Sequence, residues 1–167
     1  GCCPAEKNCA EGQGAAISAP TMKLLILALM LGVPFPIFAE NKYQSFSELS
    51  KYETIGVDYR IGIQDVGSKI SILAIHGGLI EPTTTEIAKA IARDEFNYYL
   101  FEGIKTDGNW DLHISSSQFD EPQALRLTEK SKTCVSIHGF KEKNKKLACL
   151  GGMNERLKEL ISGRLKE

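Results

Sequence analysis

The stretch Ile70-Ser71-Ile72-Leu73-Ala74-Ile75-His76-Gly77-Gly78-Leu79-Ile80-Glu81 carries the reading that decides the fold. Residues 70–75 are almost continuously apolar, the pattern of a strand covered on both faces, and such strands occupy the middle of α/β sheets. The run stops at His76-Gly77-Gly78. Thr83 with Glu86 three residues on has the form of a capping box, and Ile87, Ala88, Ile91 and Ala92 then recur at helical spacing. A helix is therefore predicted to follow the His76 loop.

Upstream, Val57, Tyr59, Ile61 and Ile63 alternate with Asp58, Arg60, Gly62 and Gln64, a period of two that predicts an early strand with one apolar face, ended by Gly67-Ser68. Downstream, residues 98–104 read as a second buried strand, and the turn chemistry of Asp107-Gly108-Asn109 separates it from Leu112-His113-Ile114. Pro122 suits the first turn of a helix bearing Ala124, Leu125 and Leu127. Residues 134–137 form another short apolar strand, and it too ends in His-Gly, at His138-Gly139. A charged turn at 141–146, a strand at 147–150, a stop at Gly151-Gly152 and a final amphipathic helix through Met153, Leu157, Leu160, Ile161 and Leu165 complete the order. Alternating strands and helices of this kind predict an α/β layer architecture.

The chain has 167 residues, 43% apolar and 25% charged, with 20 Lys+Arg against 21 Asp+Glu. A net charge of -1 lacks the general basic excess that neutralises nucleic-acid phosphates, so no nucleic-acid partner is expected. Met22-Lys23, the apolar run 24–31 and Ala39 before Glu40 have the three parts of an export signal. The expected organisation is a non-structural upstream extension at 1–21, a signal peptide at 22–39 cleaved after Ala39, and one α/β domain at 40–167. The run is too short for a membrane span, which needs about 20 apolar residues, so the mature protein is expected to be secreted or periplasmic without a stable span. Three of the five cysteines fall in the first ten residues, no CxxC pair occurs, and Cys134 and Cys149 are either two thiols or one bridge.

Two strands that each end in His-Gly bring both imidazoles to the same sheet edge if the strands run parallel, and that carboxyl edge is where open α/β folds bind ligands. Glycine beside each histidine allows a ligand close to the backbone. Glu81 lies five residues past His76, near enough for the loop to fold back. Two histidines and one glutamate are a catalytic zinc donor set with a fourth position open to water. His113 is a rival third ligand. A lone histidine at a strand end is commonly a structural residue, and it is the pairing of two such ends with a carboxylate that points to a metal. No GxSxG, GxxxxGK[ST] or GxGxxG occurs, which argues against a serine hydrolase, a P-loop or a dinucleotide site. Lys141, Lys143, Lys145 and Lys146 form either a solvated hairpin or a contact for an acidic substrate. Asp120-Glu121 are either acid-base groups or complements to the dipole of the helix that Pro122 begins.

The segments Asp58-Tyr59-Arg60-Ile61, Ile75-His76-Gly77-Gly78-Leu79-Ile80-Glu81-Pro82, Tyr98-Tyr99-Leu100-Phe101-Glu102-Gly103-Ile104-Lys105, Leu112-His113-Ile114-Ser115-Ser116-Ser117-Gln118-Phe119-Asp120-Glu121-Pro122 and Val135-Ser136-Ile137-His138-Gly139 together resemble the poly-γ-glutamate hydrolase family, bacterial and phage proteins often labelled phage-related replication protein. The likeness runs from about residue 46 to 152. It implies a zinc-carboxypeptidase-like α/β fold with a mixed, largely parallel sheet flanked by helices. It also implies Zn2+ held by His76, Glu81 and His138, and hydrolysis of γ-glutamyl amides in poly-γ-glutamate or a related acidic polymer. His113, Arg60 and Lys141 then become substrate-binding candidates. The family pattern continues beyond the position of Glu167 to an Asn-Arg segment and to a strand with the general-base Glu. The expectation is therefore a C-terminally truncated domain that binds zinc and hydrolyses poorly, or a non-catalytic zinc-bound remnant that only holds the polymer.

Overall fold

The computed structural model describes residues 41–140 and 147–165. In chain order the elements are α1 (Phe46–Leu49), β1 (Tyr59–Gln64), β2 (Ile70–Gly78), α2 (Thr84–Ala92), β3 (Asn97–Gly103), a 3-10 turn (Asn109–Leu112), α3 (Pro122–Lys130), β4 (Thr133–Ser136) and α4 (Glu155–Leu165). The four strands form one sheet in the order β1-β3-β2-β4. β2 pairs in parallel with both β3 and β4, whereas β1 is an antiparallel edge strand on β3. This is the expected mixed, largely parallel α/β sheet, and the apolar run at 70–75 is its central strand.

Helices cover both faces of the sheet. Ile72, Ala74 and Leu100 pack against Ala88 and Ala92 of α2 on one face. On the other, Ile75, Tyr99 and Phe101 join Tyr43, Leu49, Ile114, Phe119, Ala124 and Leu127 from α1 and the residues just before it, α3 and the long connection before α3. Residues on opposite faces alternate along β3, as a strand's period of two requires.

Several local expectations are corrected. Thr83 occupies the N-cap position of α2, but with φ 78 and no capping bond from its side chain. The capping box is replaced by Thr84, whose hydroxyl donates to the Glu81 carbonyl at 2.8 Å, and by Thr85, whose hydroxyl accepts from Gly78 N–H at 3.0 Å. The early strand begins at Tyr59, and Val57 is exposed because it sits in the turn before it. Residues 147–150 form no strand, having no neighbouring ladder to join, and no residue of α4 is buried. No disulfide joins Cys134 and Cys149. Lys141 and the 22–39 leader lie outside the described residues. Among the described residues no helix is long and apolar enough to cross a membrane.

Candidate metal centre

Register and one irregularity bring the two strand-end histidines together. Leu73 of β2 pairs with Ser136 of β4, and the Ile137 N–H continues the ladder to the Leu73 carbonyl at 2.8 Å. His138 lies two residues past Ser136, whereas His76 lies three past Leu73. The difference is a β-bulge. Against β3, Ala74 pairs with Leu100 and Gly77 with Glu102, so Ile75 and His76 together face Phe101. A bulge of this kind re-aims a side chain. Here it turns His76 towards Ile114, on the same face of the sheet as Ile75.

The loop after β2 then returns Glu81 to the same place. Gly78 takes φ 64, Leu79 N–H donates to the Gly103 carbonyl at 3.0 Å, and Glu81 N–H donates to the His76 carbonyl at 2.9 Å. Pro82 restricts Glu81 to extended backbone. The result is a triangle of three residues, with one Glu81 oxygen facing each histidine. His76 Nδ1 lies 3.2 Å from His138 Nδ1 and 3.2 Å from Glu81 Oε1, and His138 Nδ1 lies 3.5 Å from Glu81 Oε2. A tetrahedral zinc with bonds near 2.0–2.1 Å has donor–donor edges of roughly 3.3 Å. The two edges that meet at His76 Nδ1, both 3.2 Å, and the donor chemistry suit that ion.

Each of the three residues is held by further bonds. His76, 1% exposed, donates from Nε2 to the Ile114 carbonyl at 2.8 Å, which leaves Nδ1 as the nitrogen facing Glu81 and His138. The His138 Nε2 meets the hydroxyls of Ser136 at 3.0 Å and Ser116 at 3.4 Å. Glu81 Oε2 accepts from Gly139 N–H at 2.8 Å. Burial opposes ionisation of Glu81, but the two imidazoles and that N–H outweigh it and hold its carboxyl well below the usual carboxylate range. The carboxylate therefore stays charged.

His113 stands beside this triangle. Its Nε2 is 4.0 Å from Glu81 Oε1, and one donor atom each from His76, Glu81 and His113 lie within 4.8 Å of one another. Its Nδ1 meets Asn41 Oδ1 at 2.8 Å, and its ring stacks on His76 with centroids 4.0 Å apart and planes at 28°. Arg60 is on β1, cross-strand from Glu102, and is held there by two bonds, Nε to Oε2 at 2.9 Å and a second guanidinium nitrogen to Oε1 at 3.0 Å. The pair belongs to the α2 face of the sheet, where Glu102 lies against Gly77.

The carboxylates before α3 have structural duties. Glu121 caps the helix, accepting from Gln123 and Ala124 N–H at 2.9 and 2.8 Å, and Asp120 accepts from Phe46 and Ser47 N–H at the start of α1. The glycines beside the histidines also differ from expectation. A side chain at Gly77 would strike the Thr85 hydroxyl and the Phe101 carbonyl, and one at Gly139 would press on Glu81. Both positions serve close packing of the protein's own elements. The sequence reading missed Ile114, Ser116, Ser136 and the Gly139 N–H as supports of the donors. Only Ser136, two residues before His138 and so on the same side of its strand, left a signal in the pattern.

Fold and site together define an α/β domain with a histidine-glutamate donor cluster at the carboxyl edge of its sheet. The profile of the poly-gamma-glutamate hydrolase family matches residues 43–167, and the chain belongs to that family. It is 39% identical over 140 residues to UPF0714 protein YndL of Bacillus subtilis strain 168, covering 84% of this chain and 55% of the relative. The SPbeta prophage-derived UPF0714 protein YoqZ of the same organism is 42% identical over 119 residues, covering 71% and 42%. Among solved structures, a bacteriophage poly-gamma-glutamate hydrolase superposes with TM-score 0.72 at 34% identity, covering 76% of this chain and 62% of that one. A zinc-free apo form of YndL superposes with TM-score 0.60 at 44% identity, covering 63% and 51%. The chain thus spans about half the length of these relatives.

Proposed function

We propose that this chain carries the zinc centre of a hydrolase acting on γ-glutamyl amide bonds of poly-γ-glutamate or a related acidic polymer, with His76 Nδ1, Glu81 and His138 Nδ1 as the ligands. The observation that carries the reading is the donor cluster at the sheet edge of a domain in a family of such hydrolases, in which His76 Nδ1 lies 3.2 Å from both His138 Nδ1 and Glu81 Oε1 and the second Glu81 oxygen lies 3.5 Å from His138 Nδ1. Ring geometry favours His138 over His113 as the third ligand. Two imidazoles on one tetrahedral ion have centroids roughly 5 Å apart. His76 and His138 are 5.0 Å apart at 65°, whereas the stacked His76–His113 pair is closer and nearly parallel.

Bound zinc supplies a Lewis acid that polarises an amide carbonyl and acidifies water. The chain's own residues supply orientation. The Ile114 carbonyl, the Ser136 and Ser116 hydroxyls and the Gly139 N–H fix the rings and the carboxylate, the kind of support that sustains metal affinity. His76 closes the buried side, and His138, with 35% of its side chain exposed, faces the approach from solvent.

A second reading is a module that holds the polymer without cutting it. It is favoured by the engagement of the nearby carboxylates, since Glu102 is bound to Arg60, Asp120 to α1 and Glu121 to α3. Electrophoresis of poly-γ-glutamate after incubation with the zinc-loaded chain separates the two. Shortening of the polymer, abolished in His76→Ala, supports the hydrolase; zinc and polymer binding with no shortening supports the module. The leader at 22–39 supports export, which N-terminal sequencing of secreted protein tests.

A further inference from the structure

Trp110 is the single tryptophan of the chain, and 61% of it is exposed. It is nevertheless held firmly. One face lies on His113, with centroids 4.6 Å apart and planes at 20°, and His113 lies in turn on His76. The segment bearing the indole is tied by two consecutive residues of the N-terminal stretch. Asn41 Oδ1 meets His113 Nδ1, and Lys42 Nζ reaches Asp111 at 2.9 Å. Its near end is closed by Asn109, whose side chain bonds both the N–H and the carbonyl of Lys105. Burying apolar surface is worth about 25 cal/mol per Å², and folding here uses only one side of the largest aromatic residue in the chain. A fixed ring with its other side open, two stacking steps from His76, has the form of a recognition surface on a connecting segment.

We infer that the outer face of Trp110 is a substrate platform that packs on the side-chain methylenes and amide plane of a γ-linked glutamyl residue next to the bond held at the donor cluster. The inference rests on the proposed function and names how that site holds its substrate. The γ-linkage runs the polymer backbone through two methylenes per residue, so the repeat has an apolar stretch that an α-linked glutamate backbone lacks. An indole face recognises that stretch, whereas the charged carboxylates remain in solvent.

The test uses the full chain, zinc-loaded, with a γ-linked glutamate hexamer as the probe. Calorimetry measures binding to wild type, Trp110→Ala and Trp110→Phe, tryptophan emission is followed in the same titration of wild type, and zinc content is measured for all three. The expected result is a saturable change in emission, about 3- to 10-fold weaker binding by Trp110→Ala, near-wild-type binding by Trp110→Phe and equal zinc in each. Hexamer binding with unchanged emission, or equal affinity in Trp110→Ala, overturns the platform while leaving the proposed function standing. Loss of zinc in Trp110→Ala also overturns it, since the stack then serves only to hold His113. No binding by wild type removes the poly-γ-glutamate reading itself, and the platform with it.

Discussion

His113 and His138 are both within reach of Glu81, and what separates them is how each ring is presented. His138 comes off the strand beside β2 with Nδ1 turned into the triangle, while His113 lies flat on the His76 ring. His138→Ala is therefore expected to lower zinc affinity by at least about 100-fold, and His113→Ala to retain an equimolar ion, both read by metal analysis after dialysis. Ser136→Ala, which removes only the orienting hydroxyl, should weaken zinc by about 10-fold. Retention of zinc in His138→Ala with loss in His113→Ala would falsify the ligand assignment. Thr83, two residues past Glu81, holds a β-branched side chain at φ 78, a conformation costly for such residues. Thr83→Gly should raise stability by about 0.5–1 kcal/mol, visible as a higher thermal midpoint.

At the scale of elements, the site depends on how closely α2 and the β2 loop pack on β3. A methyl group on Gly77 meets the Thr85 hydroxyl at the start of α2 and the Phe101 carbonyl oxygen at 3.0 Å. Backbone cannot yield there without moving the helix from the sheet. Gly77→Ala is expected to cost about 2 kcal/mol or more, measured by urea unfolding. At Gly139 the nearest atom is Glu81 Cβ at 3.2 Å, so Gly139→Ala displaces the proposed ligand Glu81 rather than a helix. It should weaken zinc binding while leaving the urea midpoint within about 0.5 kcal/mol of wild type.

Over the whole molecule, stability is tied to the buried carboxylates of Glu53 and Glu102 and the half-buried one of Asp120. Glu53 accepts from the Tyr43 hydroxyl at 2.6 Å and pairs with Lys105 at 2.9 Å, Glu102 pairs with Arg60, and Asp120 anchors α1. Burial opposes the charge of each, but these partners outweigh it and leave all three below their ordinary values. A carboxylate with a depressed folded pKa binds fewer protons folded than unfolded. Its contribution is complete above the unfolded value, near pH 4, and is lost as pH falls through the folded value. The thermal midpoint should thus be level from about pH 5 to 7 and fall steadily below about pH 4. Glu53→Gln should lower the midpoint at pH 7 and flatten the acid slope, both followed by circular dichroism. A midpoint that rises on acidification would contradict this account.

Much of this was legible in residue order alone. A short, nearly continuous apolar run ended by His-Gly-Gly reads as a strand hidden on both sides, which pointed to an interior place for β2, and two His-Gly strand endings with a glutamate five residues beyond the first already outlined a donor set. Pro122 behind Glu121 likewise announced the start of α3. What the order of residues could not contain was the bulge at Ile75 and His76, because a one-residue excess exists only relative to the partner strand. Nor could it show whether Thr83 caps its helix, since three neighbouring threonines offer the same hydroxyl and packing against Gly78 and Glu81 selects Thr84 and Thr85. The way the His113 and His138 rings are presented to His76 and the pairing of the exposed Arg60 with the buried Glu102 are contacts between residues far apart in the chain. Such contacts are decided by sheet register and loop closure, which local pattern does not encode.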